Sequence, residues 1–488
     1  MAAKVFPSYN PVDGSLIENH SIFTRKAVNN AVDEAREASE YWQSLGFAGR
    51  KKVLNTFAQL VIDRIDAVSA MVSLETGKPI SDANLEVALA AGHIAWSARN
   101  ARKFLKPERR NAGLLLANMQ ARVEHAPVGV VGVIGPWNYP VFTPIGSITY
   151  ALAAGNTVVF KPSEYTPGVG KLIASLFAEA SGRDDLLIVV TGLGETGGYL
   201  CESGVDTLAF TGSTKTAKLV AATCAQTLTP VILECGGKDP VIVAKDADLE
   251  RAADAALWSA MSNAGQTCIG AERIYVDQAV ADKFTEIFVA KAKVIAAGDP
   301  NEANYGPATM PSQLAVIESH IKDALKRGGK ALLGGRDSVQ APYVQPTVLA
   351  DVPEDSIAMT EETFGPTIVI NRFDGIDEAI ALANASRYGL GASVWSRRDG
   401  KKIASQLACG MVSVNSVIAF AGVHDVPFGG IKDSGYGRIH GRDGLRALTY
   451  PRSVVSTRFY LPLNFTSFAR TEAIDKLIIK LTKFVGGR

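Results

Sequence analysis

The spacing of apolar positions divides the chain into two regimes. Between about residues 24 and 105 they recur at helical intervals, with capping and breaking signals between segments. Thr76-Gly-Lys-Pro79 is one such break, because glycine suits the position after a helix end and proline stops its continuation. From Val123 the pattern changes. The stretch 128–134 is a short β-branched run bounded by glycine and Pro136, and 157–161 is a second apolar run, so both are expected to be strands. Further alternation follows, with helices expected at about 146–154, 168–180, 196–202 and 214–224 and strands at 186–190, 207–210 and 231–233. Strands alternating with such helices predict an α/β fold built on a parallel, doubly wound sheet. A second alternating region, roughly 240–430, places strands at 274–276, 367–370 and 411–415, so two α/β domains are expected. Near the end, 471–484 sets Ile474, Leu477, Ile478 and Leu481 on one helical face, flanked by Lys476, Lys480 and Lys483.

Composition narrows the function classes. A chain of 488 residues is too long for one compact core, so two or three structural units are expected. Fifty basic and 49 acidic residues give a net charge of +1 and no long basic run, which offers nothing to nucleic acid. Cys201, Cys224, Cys235, Cys268 and Cys409 are odd in number and lack CxxC spacing, so they read as free thiols in a reducing compartment. The six histidines form no HxxxH pair, and no metal site is expected. The N-terminus has no apolar signal-like region and no run approaches ~20 apolar residues, so a cytoplasmic location is expected.

The candidate chemistry centres on Cys268, in Asn263-Ala-Gly-Gln-Thr-Cys-Ile-Gly-Ala271, which lies 34 residues after Glu234 in Leu233-Glu-Cys-Gly-Gly-Lys-Asp-Pro240. A thiol can form a covalent intermediate and a carboxylate can activate the water that breaks it. Upstream, Pro136-Trp-Asn-Tyr-Pro140 offers the amide of Asn138 as an oxyanion donor. Taken singly, each has an ordinary reading: a small buried hydrophobe, a capping carboxylate, a turn asparagine. Together with Glu361-Glu-Thr-Phe-Gly-Pro366 and Pro427-Phe-Gly-Gly-Ile-Lys-Asp-Ser-Gly-Tyr-Gly-Arg438, these segments resemble the NAD(P)-dependent aldehyde dehydrogenase superfamily in order and spacing. The resemblance runs from Asn10-Pro-Val-Asp-Gly14 to about Thr449.

That resemblance implies a cofactor domain at 1–111 and 129–233, a catalytic domain at 234–447, a small β oligomerisation arm at 112–128 and 448–460, and a tail at 461–488. It implies oxidation of an aldehyde through a hemithioacetal and thioester on Cys268, with Glu234 activating the hydrolytic water and Asn138 holding the oxyanion. Cofactor contacts are implied for Ile134, Gly135, Pro136, Trp137, Lys161, Ser163, Glu164, Gly194, Gly198, Phe210, Gly212, Ser213, Thr216, Cys235, Gly236, Glu362 and Phe364. Gly192-Leu-Gly-Glu-Thr-Gly197 matches the GxGxxG fingerprint literally, yet no acidic residue stands at the expected spacing after it, and the resemblance puts the phosphates at Ser213 instead. Glu164 would accept bonds from a ribose 2′-hydroxyl and repel a 2′-phosphate, which favours NAD and leaves NADP open.

Tyr139, Phe142, Gly146, Thr267, Ile269, Ile418, Phe420 and Phe428 match the positions that line the aldehyde tunnel. No arginine stands among them to pair a carboxylate, so aliphatic or aromatic aldehydes are expected over semialdehydes of dicarboxylic acids. The chain also departs from the family's pattern. Thr216-Ala217 occupies a stretch where a glycine is usual, Ile439 stands where many relatives carry an acid, and Gly146-Ser147 stands for Trp-Lys. Losing the acid and the Trp-Lys together predicts a different proton path, and the glycine in place of an indole predicts a roomier entrance. A homodimer or homotetramer is expected. The tail helix has three readings: packing on the body or a partner subunit, weak contact with a membrane surface, or a gate over a long-chain tunnel. The competing functions are a coenzyme A-acylating dehydrogenase, which tends to lack the base now at Glu234, a membrane-associated fatty aldehyde dehydrogenase, and a non-catalytic scaffold, which needs none of Asn138, Glu234 and Cys268.

Overall fold

The computed structural model describes residues 4–113, 116–460 and 467–486. The N-terminal residues 1–3, residues 114 and 115 of the expected arm, and 461–466, 487 and 488 of the tail lie outside the described residues.

The helical regime becomes four helices, Arg25–Ser44, Gly46–Asp63, Ile65–Thr76 and Ile80–Leu105. Thr24 caps the first by accepting the Ala27 N–H at 3.3 Å. At the predicted break, Gly77 takes φ 74° after Thr76 and a Cβ there would lie 2.6 Å from the Pro307 ring, so the backbone needs glycine for both conformation and space. The hairpin Val5–Tyr9 and Leu16–Ser21, around the Asn10–Gly14 turn, escaped the pattern reading because its strands are mostly exposed and short of apolar alternation.

Two α/β sheets carry the molecule. The first has six strands in the order Gly435–Tyr436, Val231–Glu234, Thr207–Thr211, Val130–Ile134, Thr157–Lys161, Leu187–Val189. All its pairs are parallel except the edge strand Gly435–Tyr436, which comes from the far part of the chain and runs antiparallel along Val231–Glu234. Thr157–Lys161 is buried along its whole length, as the continuous apolar run requires of a strand covered on both faces. The second sheet has seven strands, with Asp239–Val243, Ala271–Asp277, Thr367–Phe373 and Gly391–Trp395 at its centre and one antiparallel edge, Lys330–Leu333.

The expected arm is a three-stranded antiparallel sheet of Thr449–Thr457, Met119–Pro127 and Glu108–Arg110. Its first strand precedes residue 112, where the arm was expected to begin; three charged residues in a row carry no strand pattern, and pairing with Met119–Pro127 makes the strand. The tail forms the helix Glu472–Gly486, with Ile474, Leu477, Ile478 and Leu481 half-buried and Ile479 and Phe484 exposed. Among the described residues no helix is long and apolar enough to cross a membrane.

Candidate active site

The strand Val130–Ile134 pairs with Thr157–Lys161 on one side and Thr207–Thr211 on the other, so the chain winds away from it in opposite directions. A crevice outside the carboxyl ends of the strands at such a reversal is where α/β sheets bind ligands. A cleft of about 750 Å³ opens there. Ile134, Gly135, Pro136 and Trp137 border it after one strand, and Lys161, Ser163 and Glu164 after the next. Phe210, Gly212, Ser213 and Thr216 line it where Thr207–Thr211 passes into the helix Thr214–Ala225. Gly194 and Gly198 form another wall, and a Cβ on either would meet nothing within 4 Å, so the open face continues over them. Cys235, Gly236, Glu362 and Phe364 close the inner end. Every residue assigned to the cofactor from sequence thus borders one cleft, with helix Thr214–Ala225 starting on it, which suits a dinucleotide whose pyrophosphate needs N–H donors. Ser213 also caps that helix, accepting the Thr216 N–H at 3.3 Å, and Ala217 is buried behind it.

Cys268 and Asn138 meet at the inner end. The thiol rides on a loop begun by Asn263, Ala264 and Gly265, which all have positive φ (52°, 56° and 69°). Non-glycine residues held there store strain of order 1–3 kcal/mol each, and surrounding contacts must hold them. The contacts are present: Asn263 Nδ2 donates to Asn138 O at 3.1 Å, Asn138 Nδ2 donates to Gln266 O at 2.9 Å, and a Cβ on Gly265 would strike the Gly365 carbonyl. One amide hydrogen of Asn138 is thereby committed to Gln266, and no protein acceptor takes the other among the described residues. Glu234 ends the strand Val231–Glu234, is buried, and accepts the Thr211 hydroxyl at 3.2 Å. It does not line the cleft itself but stands behind Cys235.

Electrostatically the pocket disfavours charge. Burial pushes Glu234 up to about 7, against a lowering by the Thr211 hydroxyl. Burial likewise pushes Glu362 up to about 8 although it accepts the Gly237 N–H at 3.0 Å. Burial, then the neighbouring Glu234, Glu362 and Asp239 carboxylates, push the Cys268 thiol well above its ordinary value. The thiol is therefore held protonated beside a carboxyl that titrates near neutrality. Such pairs mark candidate catalytic groups.

The residues assigned to the aldehyde tunnel lie apart from this cleft, around Cys268 on its other side. Tyr139 shares a hydrogen bond with Thr267 Oγ1 at 2.9 Å, Ile269 is buried beyond the thiol, and Ile418 has φ 55° at the start of the short helix carrying Phe420. Phe420 packs on Phe428 with centroids 6.2 Å apart. Gly146 overturns an expectation. Instead of leaving a roomier entrance, its missing side chain makes way for His440, whose Nε2 lies 2.5 Å from where a Cβ would be. The His440 ring is fully buried against His93, Phe428 and Phe142, at centroid distances of 3.8, 5.3 and 5.6 Å. Among the described residues both its nitrogens lack partners, and burial holds it well below its ordinary value and thus neutral. Ile439, in place of an acid, is a core residue bridged to Phe428.

Gly146→Ala is expected to destabilise the fold by about 1–3 kcal/mol, since the imidazole has no room to retreat. In denaturant melts, Gly146→Ala/His440→Ala should cost less than the two single changes summed. A Gly146→Ala protein that melts like the parent would contradict the packing.

Several cleft residues were missed from sequence. Tyr165, Thr211, Leu219 and Thr223 flank recognised motifs and could have been reached from them. Met310, Gln313 and Val316 sit at the start of the helix Gln313–Lys326 or just before it, far from any motif. Among the described residues no His, Cys, Asp and Glu cluster could hold a metal ion.

A model of the aldehyde dehydrogenase family matches residues 1–454. The 4,4'-diapolycopene aldehyde oxidase of a Methylomonas species is 36% identical over 457 residues, spanning 93% of this chain and 86% of that protein. A Mycolicibacterium smegmatis protein provisionally named as an NADP(+)-dependent succinate-semialdehyde dehydrogenase is 38% identical over 473 residues, spanning 95% of this chain and 91% of its own length. Among solved structures, the NAD-dependent aldehyde dehydrogenase of Sinorhizobium meliloti superposes with a TM-score of 0.91 at 34% identity, covering 95% of this chain and 93% of that one. With its α/β sheets, its cleft at the strand-order reversal and a family match over nearly its whole length, this chain belongs to the aldehyde dehydrogenase family.

Proposed function

We propose that the protein oxidises an aliphatic or aromatic aldehyde to the carboxylic acid, with Cys268 as nucleophile, Asn138 as oxyanion donor and Glu234 as base. The observation that carries this reading is the meeting of Cys268 and Asn138 at the closed end of the cleft, on segments bonded to each other, with Glu234 buried behind them. The cleft residues from Ile134 to Phe364 would hold a nicotinamide dinucleotide, which supplies the hydride acceptor that turns a hemithioacetal into a thioester.

The remaining chemistry is the chain's own. Cys268 Sγ attacks the aldehyde carbon and its proton passes to water, and so to solvent, as the C–S bond forms, because the pocket opposes a free thiolate. The carbonyl π electrons move to oxygen, where the uncommitted Asn138 N–H and the backbone N–H of Cys268 stabilise them, an effect of about 2.7–4 kcal/mol for one donor. Glu234 then takes a proton from water as it adds to the thioester and returns it to the sulfur as the C–S bond breaks, which releases the acid and restores both the thiol and the carboxylate. No arginine stands among the residues assigned to the aldehyde tunnel, and the apolar Ile269, Ile418, Phe420 and Phe428 among them support an uncharged aldehyde.

NADH formation should be followed for a panel running from short aliphatic aldehydes to decanal and benzaldehyde, with NAD or NADP and with or without coenzyme A. Turnover independent of coenzyme A is the expected result; an absolute requirement for it would favour the acylating reaction instead.

A further inference from the structure

We infer that Lys78 and Glu86 form a positioning device for the reaction: a buried ion pair that fixes the Asn138 peptide and so aims the oxyanion-binding amide. The inference rests on the role proposed for Asn138. Neither residue lines the cleft, and neither belongs to any segment that points to chemistry.

Lys78 follows the glycine of the helix break and is 2% exposed, as is Glu86 two turns into the helix Ile80–Leu105. Lys78 Nζ donates to Glu86 Oε2 and to Asn138 O, both at 2.7 Å, and stands 4.2 Å above the Tyr139 ring. The other oxygen of Glu86 accepts the N–H groups of Val141 and Phe142 at 2.8 and 3.1 Å. These open the helix Phe142–Ala154, which has no side-chain cap of its own. The pair therefore grips the segment 138–142 at both ends. Asn263 and Gln266, from the loop that carries the thiol, complete the hold on Asn138.

A stability role alone does not account for the lysine. Glu75 caps the helix Pro167–Ser181 in the same way, accepting Gly168 and Val169 N–H at 2.8 and 2.9 Å, with no cation within ion-pair distance among the described residues. Capping thus needs only the carboxyl. Burying an ammonium as well costs desolvation that an apolar side chain would avoid. What the ammonium adds is a short, directional bond to the carbonyl of Asn138. Rotation of that peptide would swing the amide off the aldehyde oxygen, and a displacement near 1 Å can cost ~100-fold in rate.

The test compares Glu86→Gln with Lys78→Met/Glu86→Gln, since the glutamine carbonyl still caps the helix while the double variant buries no lone charge. Single-turnover NADH formation and the NAD dissociation constant are measured for both. Loss of Lys78 should slow the single turnover by roughly 10- to 100-fold and move NAD binding by less than about twofold. Repeated in an Asn138→Ala background, the same change should add less than about twofold, because the amide it aims is gone. An unchanged single-turnover rate, or an equal loss in the Asn138→Ala background, would overturn the positioning role. Asn138→Ala that turns over like the parent would instead overturn the role of Asn138.

Discussion

Cys268→Ala is expected to lower NADH formation by about three orders of magnitude or more while leaving NAD binding and the melting temperature nearly unchanged. The loss is large because the substitution removes the atom proposed to bond to the aldehyde. Binding should survive because Cys268 is half-buried on a loop whose shape is set by Asn263, Gly265 and Gln266, not by the sulfur. The check is a steady-state assay beside a titration with NAD. Residual activity within about tenfold of the parent would remove Cys268 from the mechanism.

Glu234→Gln carries the second large effect. The variant is expected to form one equivalent of NADH in a burst and then turn over roughly 100- to 10,000-fold more slowly, because a general base contributes on that scale. The pH dependence gives the sign. Burial raises the Glu234 carboxyl to about 7, so below that pH it gains a proton and cannot take one from water. The parent should lose about tenfold in deacylation per unit of pH below 7, and the variant should lack that limb. Burst and steady-state rates that stay equal in Glu234→Gln would refute the assignment. Glu362, raised to about 8, titrates nearby, and the surviving pH dependence of the variant would belong to it and to the thiol.

The alternation of strands and helices, and the cleft residues, were legible because they are local. A buried parallel strand such as Thr157–Lys161 must be apolar on both faces, and the residues just beyond strand ends must serve the crevice. What escaped was set by tertiary pairing. Glu108–Arg110 has no strand pattern and is a strand because Met119–Pro127 offers it partners. Gly146 looked like open space because nothing in its neighbourhood names His440, almost 300 residues on, as the side chain that fills it. Lys78 stands in a helix break and Glu86 in the helical stretch after it, and only the fold turns them inward onto Asn138 and its neighbours. The first α/β unit, expected to end at residue 233, also draws its edge strand Gly435–Tyr436 from much later in the chain.

That edge strand acts as a zipper across the inner end of the crevice. Gly435 pairs with Glu234, Cys235 N–H donates to Ser434 O at 3.1 Å, and Ser434 Oγ donates to Gly236 O at 2.7 Å. The two sheets are thus laced together beside the thiol and cannot gape there as the lobes of a hinged clamp do. Among the described residues no such strand crosses the cleft wall formed by the helix Thr214–Ala225, where Leu219 stands exposed. Any widening of the crevice must therefore come from the side away from that strand, so the crevice opens along one edge only.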